Sequence, residues 1–299
     1  MSDIDRRGTV RSRFEAQHAP DADLDKIDSS RGVERRKPAL WITWAICALI
    51  AFEVLRFLVG NEKLNWPVVG QYLFSLPILE GLKWTIILTI VGMVLGVALG
   101  TIICLMRLSP YLPLRVIARV WINVFRSVPP LVQLLFWFNL AYLFPTLSLG
   151  IPFGPSLFEW NTNSVITPLT AAIIGLSLYT SPYAAEIIRG GLMSVPRGQL
   201  EAATSLGLSP TDTFFRIRLP QATRIILPPM GNQTIAMLKG TSLVSIISMS
   251  DLLGAARTIY GNNFEVVPLL LVTVIWYMVL TSILTALQGW LERRYSRGY

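Results

Sequence analysis

Apolar residues are concentrated in six long runs, and polar or charged residues fill the segments between them. The runs cover approximately residues 39–59, 84–106, 120–144, 168–188, 225–247 and 266–290. Each is near or above the ~20 residues that a helix needs to cross ~30 Å of hydrocarbon. Because hydrocarbon offers no hydrogen-bond partner to the backbone, such runs can span it only as helices. The pattern therefore predicts an all-α integral membrane protein with six transmembrane helices.

Composition supports this class, and the distribution of charge predicts the orientation. The chain is 53% hydrophobic and only 15% charged, which lies outside the range of soluble globular domains. Four segments that total 65 residues hold 15 Lys and Arg, whereas three segments of the same total length hold three. The first set is 31–37, 107–119, 189–224 and 291–299, and the second is 60–83, 145–167 and 248–265. This positive-inside bias predicts cytoplasmic N- and C-termini, and it accounts for the net charge of +8 without a nucleic-acid partner.

The two ends of the chain are polar. Residues 1–37 carry 17 charged side chains of mixed sign and few apolar ones. A segment of that composition cannot bury enough apolar surface to fold, so we predict a disordered cytoplasmic tail. Residues 292–299 are predicted to form a short cytoplasmic tail at the other end.

Several kinds of site chemistry are not supported. His18 is the only histidine and lies in the polar tail, and Cys47 and Cys104 both fall inside apolar runs. A disulfide framework, a zinc site and His-dependent catalysis are therefore not expected. Lys239 precedes Gly240 and Thr241 but lacks the upstream glycines of a phosphate-binding loop. We predict no cofactor in this chain and no enzymatic activity of its own.

The most informative polar segment is EAATSLGLSPTDTFFRIRLP, residues 201–220. Residues 199–206 are predicted to form a short helix with Ala202, Ala203 and Leu206 on one face, and Gly207 stands where a helix C′ residue belongs. Ser209 is predicted as the N-cap of a second helix, with Pro210 at N1 and Asp212 at N3. Pro220 is predicted to end that helix.

Prolines and glycines inside the runs predict breaks and close packing. Pro129 and Pro130 are expected to interrupt the third span, and Pro228 and Pro229 the fifth. Gly92, Gly96 and Gly100 repeat at every fourth position of the second span, which lets another helix approach closely. We favour packing within the subunit over a dimer interface. In the first span, Glu53 and Arg56 are placed to neutralise each other.

Ionisable residues inside membrane spans are costly and are therefore functional candidates. Lys239 lies deep in the fifth span, and Asn232 and Ser242 fall on the same side of a helical wheel. Two interpretations stay open for Lys239, a place on the substrate path and a structural ion pair. The same choice stays open for three further residues, each of which either lines the path or fixes helix packing. They are Glu186, Tyr183 and Arg126.

Four segments resemble, in order, the permease subunits of bacterial polar amino acid ABC importers, the histidine/glutamine-type family of type I importers. They are FRSVPPLVQLLF, SPYAAEIIRGGLMSVPRGQ, the loop at 201–220 and LPPMGNQTIAMLKGTSLVS. The loop carries the spaced pattern of the family's EAA motif, from Glu-Ala-Ala through Gly207 to Leu219 and Pro220. The resemblance covers residues 81–290, about two thirds of the chain.

The resemblance implies an importer transmembrane domain over 81–291 with a five-helix core and a coupling loop over 198–220. Residues 38–80 then form an extra N-terminal transmembrane helix and an outer loop. By the same resemblance, the loop docks into a nucleotide-binding ATPase subunit, which holds ATP and Mg²⁺. The implied coupling residues are Glu201, Ala202, Ala203, Gly207, Leu208 and Pro210.

The resemblance also implies further partners and a location. A periplasmic or lipid-anchored substrate-binding protein would deliver the ligand, and a second permease copy or a related permease would complete the assembly in lipid. The location is the bacterial inner membrane. Two alternatives from other classes stay open: a stand-alone secondary transporter or channel, for which inverted repeats are expected, and a membrane scaffold.

Overall fold

The computed structural model describes residues 38–150 and 156–296, so the tail predicted over 1–37 lies outside the described residues. The chain divides into two compact units, residues 1–60 and 61–299. In the first unit, helix α1 (Pro38–Gly60) carries the Glu53–Arg56 ion pair at 3.5 Å, as predicted. None of its residues 41–60 is buried.

The second unit consists of helices joined by short connections and one β-hairpin. Its first half contains α2 (Trp66–Leu73), α3 (Leu76–Leu108), α4 (Leu112–Ser127), α5 (Pro130–Phe138), α6 (Leu140–Leu143), β1 (Thr146–Gly150), β2 (Ser156–Asn161) and α7 (Thr162–Val165). Its second half contains α8 (Pro168–Met193), α9 (Arg197–Ser205), α10 (Pro210–Asp212), α11 (Leu219–Gly240), α12 (Leu252–Asn263) and α13 (Val266–Ser296). Short 3-10 segments lie at Glu62–Leu64 and Thr241–Ile247, and a π-helix covers Thr213–Arg218.

Among the described residues, four helices are long and apolar enough to cross a membrane, within α1, α3, α8 and α13. A fifth span is obtained if Pro210–Ile247 and Leu252–Asn263, which meet at 42°, are counted together. The count of six spans is therefore not confirmed. The run at 120–144 is the one that does not form a continuous helix, because the chain breaks between α4 and α5.

The break in the third run is the one that Pro129 and Pro130 predict. Val128, which precedes the prolines, is extended at φ −91° and ψ 127°, as the bulk of a following proline requires. Gln133 supplies hydrogen bonds to backbone carbonyl groups beside the break. Its buried Nε2 donates to the carbonyl oxygens of Phe125 at 3.0 Å and Val128 at 2.9 Å.

The break predicted in the fifth run is wrong in position. Pro228 and Pro229 lie inside α11, which continues to Gly240. A membrane helix tolerates proline where a neighbouring helix supplies polar partners, and Gln288 of α13 donates to the Pro228 carbonyl at 3.2 Å. The chain turns later, where Ser248 adopts a left-handed conformation at φ 63° before α12.

The glycine repeat on α3 packs against α8, which confirms the interpretation that it serves packing within the subunit. A Cβ added at Gly96 would lie 2.7 Å from Thr180 Cβ, and one at Gly100 would lie 2.7 Å from Ala184 Cβ. These distances are too short for real contacts. The two helices therefore approach as closely as their backbones allow.

Three apolar clusters form the core of the second unit. The central cluster contains Leu176 and Met237, and a second contains Ile103 and Leu192, near the end of the bundle that carries α9. We call this end the loop end. The third cluster, which includes Leu269, joins α2, the start of α3, α12 and α13 at the opposite end.

A β-hairpin corrects the all-α prediction. Strands β1 and β2 pair antiparallel within the connection over 145–167, with Leu147 opposite Trp160. The rings of Phe158 and Trp160 stack with centroids 5.8 Å apart. Alternation over so few residues is a weak signal beside the long apolar runs.

Candidate functional site

The polar segment at 201–220 begins with a helix that ends in a Schellman motif. Gly207 has a left-handed φ of 77°, and its N–H donates to the Thr204 carbonyl at 3.0 Å. The Leu208 N–H reaches back to the Ala203 carbonyl at 3.1 Å. This pair of bonds defines the motif and places Gly207 at C′, as predicted.

Ser209 caps the next helical segment. Its hydroxyl oxygen accepts a hydrogen bond from the Asp212 N–H at 3.1 Å, and its hydroxyl lies 2.6 Å from the Asp212 carboxylate. The prediction for Ser209, Pro210 and Asp212 is confirmed. The predicted stop at Pro220 is wrong, because the π-helix Thr213–Arg218 leads directly into α11. Pro220 lies in the first turn of α11, where the fixed φ of proline is compatible with a helix.

The residues of α9 that were predicted to share one apolar face differ in exposure. Ala203 is 2% exposed and faces the bundle. Glu201 and Ala202 are exposed, and Leu206 is 81% exposed. The prediction of one shared apolar face is therefore wrong. The loop presents a glutamate, a small residue and a leucine to its surroundings.

The same loop is fastened to the helices that it connects. Leu200 and Phe214 pack against the second cluster, which includes Leu192 of α8. Arg218 donates from Nε to the Leu192 carbonyl oxygen at 2.9 Å. The loop is therefore attached to the bundle by apolar contacts and by one charged hydrogen bond.

Lys239 lies at an open groove of about 710 Å³ between α11 and α13. No Asp or Glu carboxylate of the described residues lies within 4.0 Å of its ammonium group. Lys239 is exposed in the isolated chain rather than enclosed in the bundle interior. The α13 side of the groove is lined by Thr273, Val274, Tyr277, Met278, Thr281, Ser282, Thr285 and Ala286.

Asn232 and Ser242 do not line this groove. The Asn232 side-chain oxygen accepts from Gln288 Nε2 at 3.2 Å, which ties α11 to α13. The Ser242 hydroxyl donates to the Lys239 carbonyl at 2.8 Å. The polar stripe predicted from the helical wheel therefore contributes one groove residue, Lys239. Serine hydroxyls commonly turn back to a carbonyl of the preceding turn, which a wheel does not register.

Glu186 is the centre of an ion-pair cluster toward the loop end of α8. Arg189 donates from Nε and Nη2 to Glu186 Oε2 at 3.0 and 2.8 Å. Arg107 Nε lies 4.0 Å from Glu186 Oε1. Nearby, the Arg126 guanidinium stacks 5.1 Å from the centre of the Tyr183 ring. Glu186, Tyr183 and Arg126 therefore all have partners within the chain.

Sequence reasoning missed a row of polar residues on α13 and one buried aspartate. Thr273, Tyr277, Thr281 and Thr285 follow one another at every fourth position of α13, and this i, i+4 spacing is the signal that was available. Asp251 is fully buried and caps α12 by accepting from the Gly254 N–H at 2.9 Å. Sequence places it in a short polar segment next to an apolar run, which does not distinguish burial from exposure.

Acidic, histidine and cysteine side chains do not gather into a metal site anywhere in the described residues. The polar features of the second unit are instead a loop with an exposed face, a groove with one lysine, and an arginine–glutamate cluster.

Comparison with known proteins gives these features a context. Residues 92–297 match the family described as binding-protein-dependent transport system inner membrane component. The arginine transport system permease protein ArgU of Corynebacterium glutamicum is 41% identical over 266 residues, 88% of this chain and 82% of that protein. The L-cystine transport system permease protein TcyB of Bacillus subtilis is 35% identical over 79% of this chain and 94% of its own length.

Solved structures agree with these relatives. The crystal structure of an amino acid ABC transporter with histidines has a TM-score of 0.62 and 34% identity, and it covers 73% of this chain and 94% of that chain. An inward-facing form of the MetNI methionine ABC transporter has a TM-score of 0.54 at 19% identity, which supports the fold alone.

The resemblance inferred from sequence is confirmed, and the alternative of a stand-alone secondary transporter or channel is wrong. The chain belongs to the family of inner membrane components of binding-protein-dependent transport systems, and it is a permease subunit of an ATP-driven importer, not an enzyme.

Proposed function

We propose that this chain forms the membrane path for a polar amino acid or a related carboxylate-bearing solute, and that a separate ATPase drives it through the loop Glu201–Pro220. The observation that carries the proposal is the exposed face of α9. Leu206 is 81% exposed beside the exposed Glu201 and Ala202. This face is accessible to a partner protein, and it carries the Glu-Ala-Ala pattern that resembles the coupling loop of importer permeases.

Each residue of the loop has a role in this proposal. Glu201 and Ala202 contact the ATPase subunit, and Ala203 anchors α9 to the bundle because it is buried. Gly207 and Leu208 form the turn that sets the angle of α9. Pro210 begins the next segment behind the Ser209 cap. The loop thus combines an exposed contact face with a rigid turn.

The orientation follows from the same proposal. The loop end of the bundle, with its clustered arginines, faces the cytoplasm, and the hairpin of β1 and β2 faces the outside. Both termini are then cytoplasmic and the membrane is the bacterial inner membrane. ATP and Mg²⁺ are bound by the ATPase subunit, to which this chain contributes no ligand.

The substrate class is inferred from what the relatives transport. Their names give arginine, L-cystine, glutamate or aspartate, and glutamine. These solutes differ in side-chain charge and share an α-amino and an α-carboxylate group. Recognition of this shared part requires a partner for the carboxylate, and an ammonium group such as that of Lys239 suits it.

The path runs along the groove between α11 and α13 in this proposal. Lys239 attracts the carboxylate, and the hydroxyl groups of α13 supply neutral hydrogen-bond partners. Asn232 and Ser242 support the wall of the path from behind, through their bonds to Gln288 and the backbone. Glu186, Tyr183 and Arg126 lie nearer the loop end and shape the cytoplasmic exit.

The assembly requires partners of three kinds. ATPase subunits bind the exposed face of α9, a periplasmic or lipid-anchored binding protein delivers the amino acid, and a second permease copy or a related permease completes the path. Lipid covers the apolar surfaces that remain.

The docking role is tested by replacing Gly207 with valine in the complex of this permease with its ATPase. Valine in a left-handed conformation costs at least about 1–2 kcal/mol, so the turn should change its geometry. We expect ATPase that co-purifies with the permease to fall roughly tenfold, because each ~1.4 kcal/mol is a factor of ten. Membrane insertion should stay unchanged.

Gly261→Val is the matched control, because a Cβ at Gly261 meets no atom within 4 Å, its φ is not left-handed, and it lies on α12, away from the loop. It should retain the ATPase. A Glu201→Lys variant reverses the charge of the contact face and should also lose the ATPase. Full association and uptake in both Gly207→Val and Glu201→Lys would contradict the docking role.

A further inference from the structure

Arg218 makes a hydrogen bond to α8 that is not part of the spaced motif of the loop. The last carbonyl groups of α8 lack intrahelical partners, as at every helix C-terminus. The Ser194 N–H makes the last bond of the helix, to the Gly190 carbonyl at 3.0 Å, and the Ser194 hydroxyl donates to the Gly191 carbonyl at 2.7 Å. The next carbonyl, on Leu192, accepts from Arg218 at 2.9 Å. A side chain 26 residues away thus satisfies a carbonyl group at the end of α8.

The charge of Arg218 suits this position. A guanidinium at a helix C-terminus is stabilised by the helix dipole, and more so where it is partly buried. Arg218 is partly buried, and its neighbour Ala222 belongs to the second apolar cluster together with Leu192. The hydrogen bond is therefore shielded from water, which strengthens it.

Arg216 lies on the same π-helix and behaves differently. Its Nε lies 3.1 Å from Asp212 Oδ1, and its side chain is 76% exposed. This pair stays within the loop and contributes little at the surface. The two arginines of this short segment thus differ in burial and in partner, and Arg218 alone of the two bonds to α8.

The bond joins the returning end of the loop to the end of α8, from which the loop departs. The loop leaves α8 through Ser194–Pro196, forms α9, and returns as the π-helix that leads into α11. Close packing holds α8 to α11 beside the bond, since a Cβ at Gly191 would lie 2.4 Å from Ile226 Cγ1. With Arg218 bound to Leu192, both ends of the loop are fixed to the end of α8.

We propose that Arg218 is a positioning residue that makes the loop and α8 move as one body, so that motion of the docked ATPase reaches the path. Glu186 lies six residues before Leu192 on α8, about 9 Å along the helix at ~1.5 Å per residue. Motion at the loop is thereby delivered to the arginine–glutamate cluster. Without the bond, the loop pivots about residues 194–196 and the motion is absorbed there. This inference rests on the proposed docking of an ATPase to α9.

The test compares Arg218→Gln with Arg216→Gln in proteoliposomes that contain the full permease, its ATPase and its binding protein. Amino acid uptake and ATP hydrolysis are measured together, and their ratio is the readout. For Arg218→Gln we expect normal ATPase association and hydrolysis, with uptake per ATP reduced roughly tenfold or more, the order expected when one charged hydrogen bond is lost. Arg216→Gln should keep the wild-type ratio.

Arg218→Lys provides the rescue, because an ammonium group can donate to the same carbonyl and retains the charge. It should restore much of the ratio, and if Arg218→Gln does not assemble, a ratio in Arg218→Lys far below the wild-type value overturns the proposal. A wild-type ratio in Arg218→Gln overturns the proposal, and so does an equal loss in Arg216→Gln. A lower yield of the permease–ATPase complex with an unchanged ratio of uptake to ATP hydrolysis also overturns it, since this would leave Arg218 a structural cap only. If the wild-type permease itself fails to bind an ATPase, the proposed function fails instead.

Discussion

At the scale of single residues, local backbone chemistry was predictable and side-chain surroundings were not. Gly207 and Ser209 occupy their predicted positions because a left-handed turn and an N-cap depend on neighbours within a few residues. Ser242 and Leu206 were misplaced because their environment depends on distant elements or on the direction of a hydroxyl. For Lys239, the sequence showed a charged residue in an apolar helix but did not predict the groove beside it.

Lys239→Met tests the path at this scale, because methionine keeps the length of the side chain and removes its charge. If the ammonium group binds a substrate carboxylate, uptake should fall at least tenfold, since a charged hydrogen bond contributes about 1.5–3 kcal/mol and ~1.4 kcal/mol is a factor of ten. ATPase association should be normal. The measurement is uptake of a labelled amino acid by proteoliposomes of the complex.

Lys83→Met is the matched control, because Lys83 is also an exposed lysine of an apolar helix but does not line the groove. It should transport normally. Wild-type uptake by Lys239→Met would exclude a role in the path, and poor assembly of that variant would indicate a structural role instead.

At the scale of elements, the sequence predicts where helices exist more reliably than where they bend. Pro129 and Pro130 do break a helix, because Gln133 satisfies the carbonyl groups beside the break. Pro228 and Pro229 do not, because α13 lies alongside and the helix continues. The two cases look alike in sequence, and only the neighbouring element distinguishes them. The π-helix before Pro220 was likewise not predicted from the sequence.

Gly100→Val tests the packing of α3 on α8. A Cβ at Gly100 would lie 2.7 Å from both Ala184 Cβ and the Ser181 carbonyl oxygen. Because backbone cannot move aside cheaply, we expect a loss of stability at the upper end of the ~1–3 kcal/mol typical of overpacking. The measurement is the unfolding midpoint of the purified permease in detergent.

Gly190→Val, on α8, is the control for the intrinsic cost of valine in a helix, because a Cβ there meets no atom within 4 Å. Its unfolding midpoint should change far less. Equal midpoints for the two variants would mean that the glycines of α3 are not required for close approach.

At the scale of the whole molecule, class and family were predictable, whereas the arrangement of helices was not. Long apolar runs and a spaced loop motif identify an importer permease by themselves. The groove depends on α11 meeting α13, and the count of spans depends on whether broken helices still cross the membrane. Both are decided by contacts between segments that are far apart in sequence. The division of the chain at residue 60 is a further feature of this scale.

Removal of residues 1–60 tests that division. The family match covers residues 92–297, and the three apolar clusters of the second unit are formed by residues after Asn61. A chain that begins at Asn61 should therefore insert, bind its ATPase and transport at close to the wild-type rate. Its uptake and its ATPase co-purification are measured beside those of the full chain.

A longer deletion that begins the chain at Leu76 is the matched comparison, because it also removes α2. Val69 of α2 is 3% exposed within the third cluster, and the Trp276 indole donates to the Leu73 carbonyl at 2.8 Å. Loss of these contacts leaves a partly buried indole N–H without its acceptor, for which about 1–3 kcal/mol is the upper limit of the cost. The longer deletion should thus lower the unfolding midpoint while the shorter one does not. If the shorter deletion already prevents folding or transport, α1 is an integral part of the permease, and the boundary at residue 60 does not separate a dispensable helix from the transport unit.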